Sequence, residues 1–123
     1  MILADTSVWV DHLRAVDAEL SELLESGQVL CHPFVIGEIA LGSLRQRHAV
    51  LEALQELPQA TMASHEEVLH LIDREVLFGQ GIGYIDAHLI AAVRLTAGAS
   101  LWTRDKRLHR SATKLALTPR RHR

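Results

Sequence analysis

The sequence predicts an α/β fold, in which helices pack as a three-layer sandwich around a central parallel β-sheet. Short apolar runs alternate with segments of helical periodicity, the pattern of parallel strands joined by helices. The 123 residues are enough to bury one apolar core. The single cysteine, Cys31, excludes an internal disulfide and is most simply a core residue. We therefore expect one domain without a covalent staple.

The chain begins with a strand, a turn and a helix. Residues 2–4 are apolar and end at Asp5. Thr6 and Ser7, which follow, are suited to cap a helix over residues 8–13. The pattern predicts an acid at the end of a buried strand.

Two helices and a second strand are predicted next. Asp17 is suited to cap a helix that Gly27 ends, and residues 29–31 are predicted to form a strand. Pro33 favours the first turn of a third helix, which reaches about Gly42.

The middle of the chain is predicted to be helical. Residues 43–57 continue as a helix until Pro58 stops it. Ser64, with Glu67 three residues later, has the spacing of a capping box and opens a helix that reaches Gly79.

The last third begins with a glycine-rich loop and ends in a basic segment. The predicted elements are a loop over residues 79–83, a buried helix over residues 84–93 closed by Gly98, a strand over residues 100–103, a helix from Asp105 to about Arg110, and an edge strand at residues 115–117. We place the domain at residues 1–118 and a basic tail at residues 119–123.

Charge and hydropathy limit the class of protein. The formal charge of −2 conceals a C-terminal segment with one acid and eight cations: Arg104, Lys106, Arg107, Arg110, Lys114, Arg120, Arg121 and Arg123. This segment is a candidate contact for a polyanion, the alternative being a solvated basic tail. No run reaches the roughly 18 apolar residues of a membrane span, and the N-terminus lacks the features of a signal peptide. We expect a cytoplasmic protein.

Four acids do not fit the polar surroundings in which the others lie. Asp5 ends an apolar strand, Asp105 closely follows one, and Glu38 and Asp86 stand within nearly apolar helical segments. An ionised carboxylate in such surroundings is costly unless something compensates it. Each has a simpler reading: Asp5 and Asp105 as helix caps, Asp86 as a first-turn acid, and Glu38 as a surface residue whose stem lies along the fold.

Together these acids predict a metal centre. Ligand sites of open parallel sheets lie beyond the carboxyl ends of the strands, where we expect all four to converge. Clustered carboxylates favour Mg²⁺ or Mn²⁺, and such an ion promotes phosphodiester hydrolysis. The sequence leaves open which acid orients the attacking water. His88 and His109 have no metal-binding partner at helical spacing, and we assign them no role.

Four segments resemble the PIN-domain family, and within it the VapC type of toxin from bacterial toxin–antitoxin pairs. They are residues 2–9, 35–39, 82–92 and 101–108, so the likeness spans nearly the whole chain. The resemblance implies a PIN-like sandwich and maps the family's metal-binding acids onto Asp5, Glu38, Asp86 and Asp105.

The resemblance also implies partners. It makes Ser7 and Thr103 supporting polar groups near the metal, RNA the substrate, and a VapB-like antitoxin the inhibitor, whose C-terminal segment inserts a basic residue among the acids. It further implies a homodimer. Some relatives carry another acid shortly after the fourth, whereas Lys106 and Arg107 stand here, which favours one bound metal over two. We expect those two cations, with Arg104 and Arg110, to contact RNA phosphates, the alternative being a solvated helix face.

Other classes of protein fit less well. A receiver domain has paired acids after its first strand, whereas Asp5 stands alone, and a haloacid-dehalogenase-type phosphatase has an acid where Ser7 stands. A third reading keeps the fold and drops catalysis, leaving a module that binds RNA or antitoxin. Such a module would bind RNA regardless of metal.

Overall fold

The structure is a computed structural model that describes residues 1–120. Its elements in chain order are β1 (Ile2–Ala4), α1 (Thr6–Arg14), α2 (Ala18–Glu25), β2 (Val29–Leu30), α3 (Pro33–Ala40), α4 (Arg47–Glu56), α5 (His65–Arg74), α6 (Tyr84–Leu95), β3 (Ser100–Trp102) and α7 (Lys106–Lys114). This α/β sandwich confirms the predicted fold class. Residues 121–123, the end of the predicted basic tail, lie outside the described residues.

The three strands form one parallel sheet in the order β2-β1-β3. Ile2 pairs with Val29 on one side and with Ser100 on the other. Because all strands run the same way, their carboxyl ends lie along one edge of the sheet. Asp5 follows β1 at this edge and Thr103 follows β3.

The core is built around the sheet and α6. Leu3 and Leu101 of the sheet, Leu89 of α6 and Leu108 of α7 are at most 1% exposed. Cys31 is fully buried, as predicted. Within residues 1–120, no helix combines the length and apolar character that crossing a membrane requires.

The predicted edge strand at residues 115–117 is wrong. These residues form the C-terminal turn of α7, in which the Leu117 N–H donates to the Ala112 carbonyl at 2.9 Å and the Ala116 N–H to the Thr113 carbonyl at 3.0 Å. This is a Schellman motif with a left-handed residue, Ala116, at φ 59°. The Leu117 carbonyl still accepts from the Leu101 N–H at 2.7 Å, but its own N–H is committed to the helix.

Three predicted helix boundaries also differ. The last helix, predicted to end at about Arg110, continues to Lys114. The helix predicted over residues 43–57 begins only at Arg47, because Gln46 at its N-terminus adopts a left-handed conformation, φ 52°. The capping box of Ser64 and Glu67 is confirmed, but α5 ends at Arg74 instead of reaching Gly79. The cause is Val76, whose left-handed conformation, φ 54°, closes the helix.

Candidate active site

Asp5 is the buried centre of the site. It is 5% exposed, and burial raises the pKa of its carboxyl, an effect that its hydrogen bonds oppose. One oxygen, Oδ1, accepts from the N–H and hydroxyl of Ser7 and from the Val8 N–H. The other, Oδ2, accepts from the Thr103 hydroxyl at 2.7 Å. The N-cap of α1 is therefore Asp5 itself, and not Thr6 or Ser7 as predicted.

Thr103 connects the ends of β1 and β3. Its hydroxyl donates to Asp5 and accepts from the Asp105 N–H at 3.0 Å. Ser7 makes a second connection, since its hydroxyl donates to Asp5 and accepts from the Arg104 N–H at 2.9 Å. Ser7 and Thr103 thus hold the two strand ends in register.

Asp105 and Asp86 each lie at a helix N-terminus. Asp105 is exposed and caps α7 by accepting from the N–H groups of Arg107 and Leu108, at 2.9 and 3.1 Å. Asp86 lies in the first turn of α6 and accepts from the Gly83 N–H at 3.0 Å. The helix N-termini favour the negative charge of both carboxylates.

The pKa of Asp86 indicates that three of the acids share one region. Burial raises this pKa most, and repulsion from Asp5 and Asp105 raises it further, while the hydrogen bond from Gly83 lowers it. Like charges act in this way only at short range or across a poorly solvated space. Asp5 and Asp105 therefore each act on the Asp86 carboxylate.

Glu38 joins this region through Thr6, which the sequence predicted only as a helix cap. It is half-buried on α3, and its Oε1 accepts from the hydroxyl of Thr6, the neighbour of Asp5. It is therefore not a simple surface residue. The run of three polar residues directly after β1 was the available signal for Thr6, but its partner lies 32 positions away.

The acids present oxygen donors suited to a hard divalent cation. Across residues 1–120, however, no three acidic, histidine or cysteine side chains are grouped tightly enough to hold one ion as they stand. Asp86 and Asp105 each use one oxygen in a helix cap. The chemistry of the set fits such a cation, which would neutralise the repulsion among the acids.

The predicted RNA-contacting cations differ in their surroundings. Arg104 forms ion pairs with Asp11, at 2.8 Å, and with Asp17, and its guanidinium lies 5.4 Å from the centre of the Trp102 ring. Hydrogen bonds to Asp17 and Asp11 raise the pKa of Arg104. The Leu20 N–H and then Arg104 lower the pKa of Asp17. Within the described chain no ion pair involves the other three cations, which are Lys106, Arg107 and Arg110. Of the four cations, Arg104 is therefore the one already engaged by two carboxylates of its own chain.

A buried ring cluster lies close to the acids along the sequence. The His32 ring is fully buried and packs against His88, which is 4% exposed, and against Phe34. The Tyr84 hydroxyl lies 3.0 Å from His88 Nε2 and 2.6 Å from Nδ1 of His65. His88 is thus a core residue, and His109 is exposed.

Comparison with known proteins identifies relatives of this chain. The family model of the PIN domain matches residues 2–114. Two curated proteins, each called Ribonuclease VapC32, from Mycobacterium tuberculosis strains CDC 1551 / Oshkosh and H37Rv, are 56% identical to this chain over 108 residues. In each case the match covers 88% of this chain and 87% of the relative.

Proposed function

This chain belongs to the PIN domain family, and we propose on that ground that it is a metal-dependent endoribonuclease, the toxin of a toxin–antitoxin pair. The single observation that carries the proposal is the Thr103 hydroxyl, which donates to Asp5 at 2.7 Å and accepts from the Asp105 N–H at 3.0 Å, so that both acids lie at one edge of the sheet. Family membership and the names of the relatives support RNA as the substrate.

The assigned roles are a proposal for Asp5, Glu38, Asp86 and Asp105 together. These four would hold Mg²⁺ or Mn²⁺, which when bound polarises a phosphate oxygen and makes a water more acidic. Asp5 is fixed by hydrogen bonds from Ser7 and Thr103, so it supplies a rigid ligand. Asp86 and Asp105 take part in helix caps, so these two carboxylates lie at helix N-termini.

The protein partner in this proposal is a VapB-like antitoxin. A basic side chain inserted among the acids would relieve the same repulsion that a metal relieves, so antitoxin and metal would compete for one region. We also propose a homodimer, as the resemblance implies. The molar mass of the purified chain, measured by light scattering during gel filtration with and without the cognate antitoxin, tests both the homodimer and the antitoxin complex.

The test of the activity is a survey of total bacterial RNA. Purified wild-type protein is incubated with this RNA in Mg²⁺ or Mn²⁺ and, separately, with chelator. The variant Asp86→Asn is incubated with the same RNA and metals. The matched control is Asp73→Asn, which changes an exposed acid of α5. We expect discrete products that need metal, vanish with Asp86→Asn and persist with Asp73→Asn. RNA binding without cleavage under every metal would instead favour a binding module.

A further inference from the structure

A small cavity adjoins the candidate active site. It lies between the end of α5, the glycine-rich loop and the first turn of α6, and has a volume of about 230 Å³. Ile72, Leu77, Ile82 and Ala87 contribute apolar side chains to its wall. Pockets for drug-sized molecules have volumes of about 300 to 1,000 Å³, so this cavity suits one planar ring system.

Two aromatic side chains of the cavity wall face solvent. Phe78 is 60% exposed and Tyr84 is 44% exposed. The chain has only five Phe, Trp and Tyr residues, and of the other three Trp9 is buried while Phe34 and Trp102 are half-buried. The open aromatic rings of this protein are therefore concentrated at one cavity.

The Tyr84 ring is held in position before any ligand arrives. Its hydroxyl lies within hydrogen-bond distance of His65 and His88, and its ring meets the His88 ring edge-on at 4.8 Å. A side chain already fixed loses little entropy when a ligand stacks on it.

The cavity is connected to the acids by one residue, and a cation lies against the glycine-rich loop beside it. Gly83 lines the cavity and donates its N–H to Asp86. Arg107 lies against the loop, since its Cδ would be 2.8 Å from a Cβ placed on Gly81. Arg107 is also two residues beyond Asp105, so a phosphate between cavity and acids would meet a positive charge.

We propose that this cavity is a base pocket, which holds one unpaired nucleobase of the RNA stacked on Phe78 and Tyr84 while its phosphate faces Asp86. This inference rests on the proposed ribonuclease function. Base stacking on aromatic rings is the usual way in which proteins read single-stranded RNA. A stable protein interface buries more than about 1,000 Å², which a cavity of one ring does not provide.

Ring resonances test the pocket without requiring cleavage. The chain has two Phe and one Tyr, so the ring signals of Phe78 and Tyr84 are readily assigned. Wild-type protein is titrated with the four nucleoside 5′-monophosphates and with ribose 5-phosphate. We expect ring-current shifts at Phe78 and Tyr84 with at least one nucleotide, none with ribose 5-phosphate, and none at Phe34. Unchanged rings at millimolar nucleotide, or equal shifts with the sugar phosphate, would overturn the pocket.

Cleavage specificity gives a second readout. Phe78→Ala is compared with Leu69→Ala, which truncates an apolar residue of α5 that is 48% exposed. Phe78→Ala should raise KM about tenfold and change the base preferred beside the cut, whereas Leu69→Ala should change neither. If Phe78→Ala leaves KM and the cutting profile unchanged, the pocket is refuted. The pocket is also refuted if Phe78→Ala cleaves normally but loses self-association or antitoxin binding. If wild type cleaves no RNA, the proposed function fails, and the ring shifts still decide whether the pocket binds bases.

Discussion

The buried imidazole of His32 predicts a loss of stability in mild acid. Its Nδ1 accepts the Phe34 N–H at 3.0 Å and caps α3, so Nδ1 is unprotonated. Its Nε2 is buried and has no hydrogen-bond partner in the described residues. Burial, together with repulsion from His88, lowers the pKa of His32 from 6.5 to about 4. Protonation would therefore place a charge in the core and break the cap.

The size of this effect follows from the two pKa values. Because the folded-state pKa lies below the unfolded one, the folded protein binds fewer protons between pH 4 and 6.5. The stability that the neutral His32 ring contributes is therefore fully present above pH 6.5 and is lost as the pH falls to about 4. At about 1.4 kcal/mol per pH unit, the loss is about 3 kcal/mol. The lowered pKa of His88 acts in the same direction.

Urea denaturation at pH 7.5 and pH 5 measures this effect. The variant His32→Asn retains a side chain that caps α3 and does not titrate. Wild type should lose about 2 kcal/mol more than the variant between these two pH values. The raised pKa values of Asp5 and Asp86 favour the folded state in acid, but they are common to both proteins and cancel in the difference. Equal losses in the two proteins would refute the assignment to His32.

Three further predictions concern the acids and the surface. Asp5→Asn should lower the cleavage rate on the order of 10²-fold or more, and should raise the melting temperature of the metal-free protein because it removes a buried charge near Asp86. Cleavage rates and a thermal melt measure these effects, and gross unfolding of the variant would make Asp5 a structural residue. Val76→Gly should stabilise the fold by about 0.5 to 1 kcal/mol in urea, since a left-handed valine costs more than the added chain entropy of glycine; a loss would contradict it. Arg104→Ala should cost about 1 kcal/mol, less at high salt, and an effect unchanged by salt would argue against the ion pairs.

The strand ends and most helix starts were predictable because local chemistry determines them. The turn after β1, the capping box of Ser64 and the proline that opens α3 depend on residues within four positions of one another. Prediction failed at two helix ends. Val76 and Ala116 adopt left-handed conformations that their side chains disfavour, and both end a helix where the sequence contains no glycine.

The four acids are conspicuous in the sequence, whereas their contacts are not. Each carboxylate stands out against apolar neighbours in the sequence. The capping reading of Asp5 and Asp105 is confirmed, and the metal-binding role of the four acids stays a prediction. The bond from Thr6 to Glu38 joins residues that are distant in sequence, and local patterns do not report such pairs.

The measurement that tests the central claim most directly is the single-turnover cleavage rate of one mapped RNA at saturating Mg²⁺. It is made for wild type, for Asn or Gln variants of Asp5, Glu38, Asp86 and Asp105, and for the control Asp73→Asn. If the four acids form one centre, each of their variants loses activity on the order of 10²-fold or more while remaining folded, and the control matches wild type. Folded variants of Asp5 or Asp86 that cleave at the wild-type rate would contradict the acidic centre.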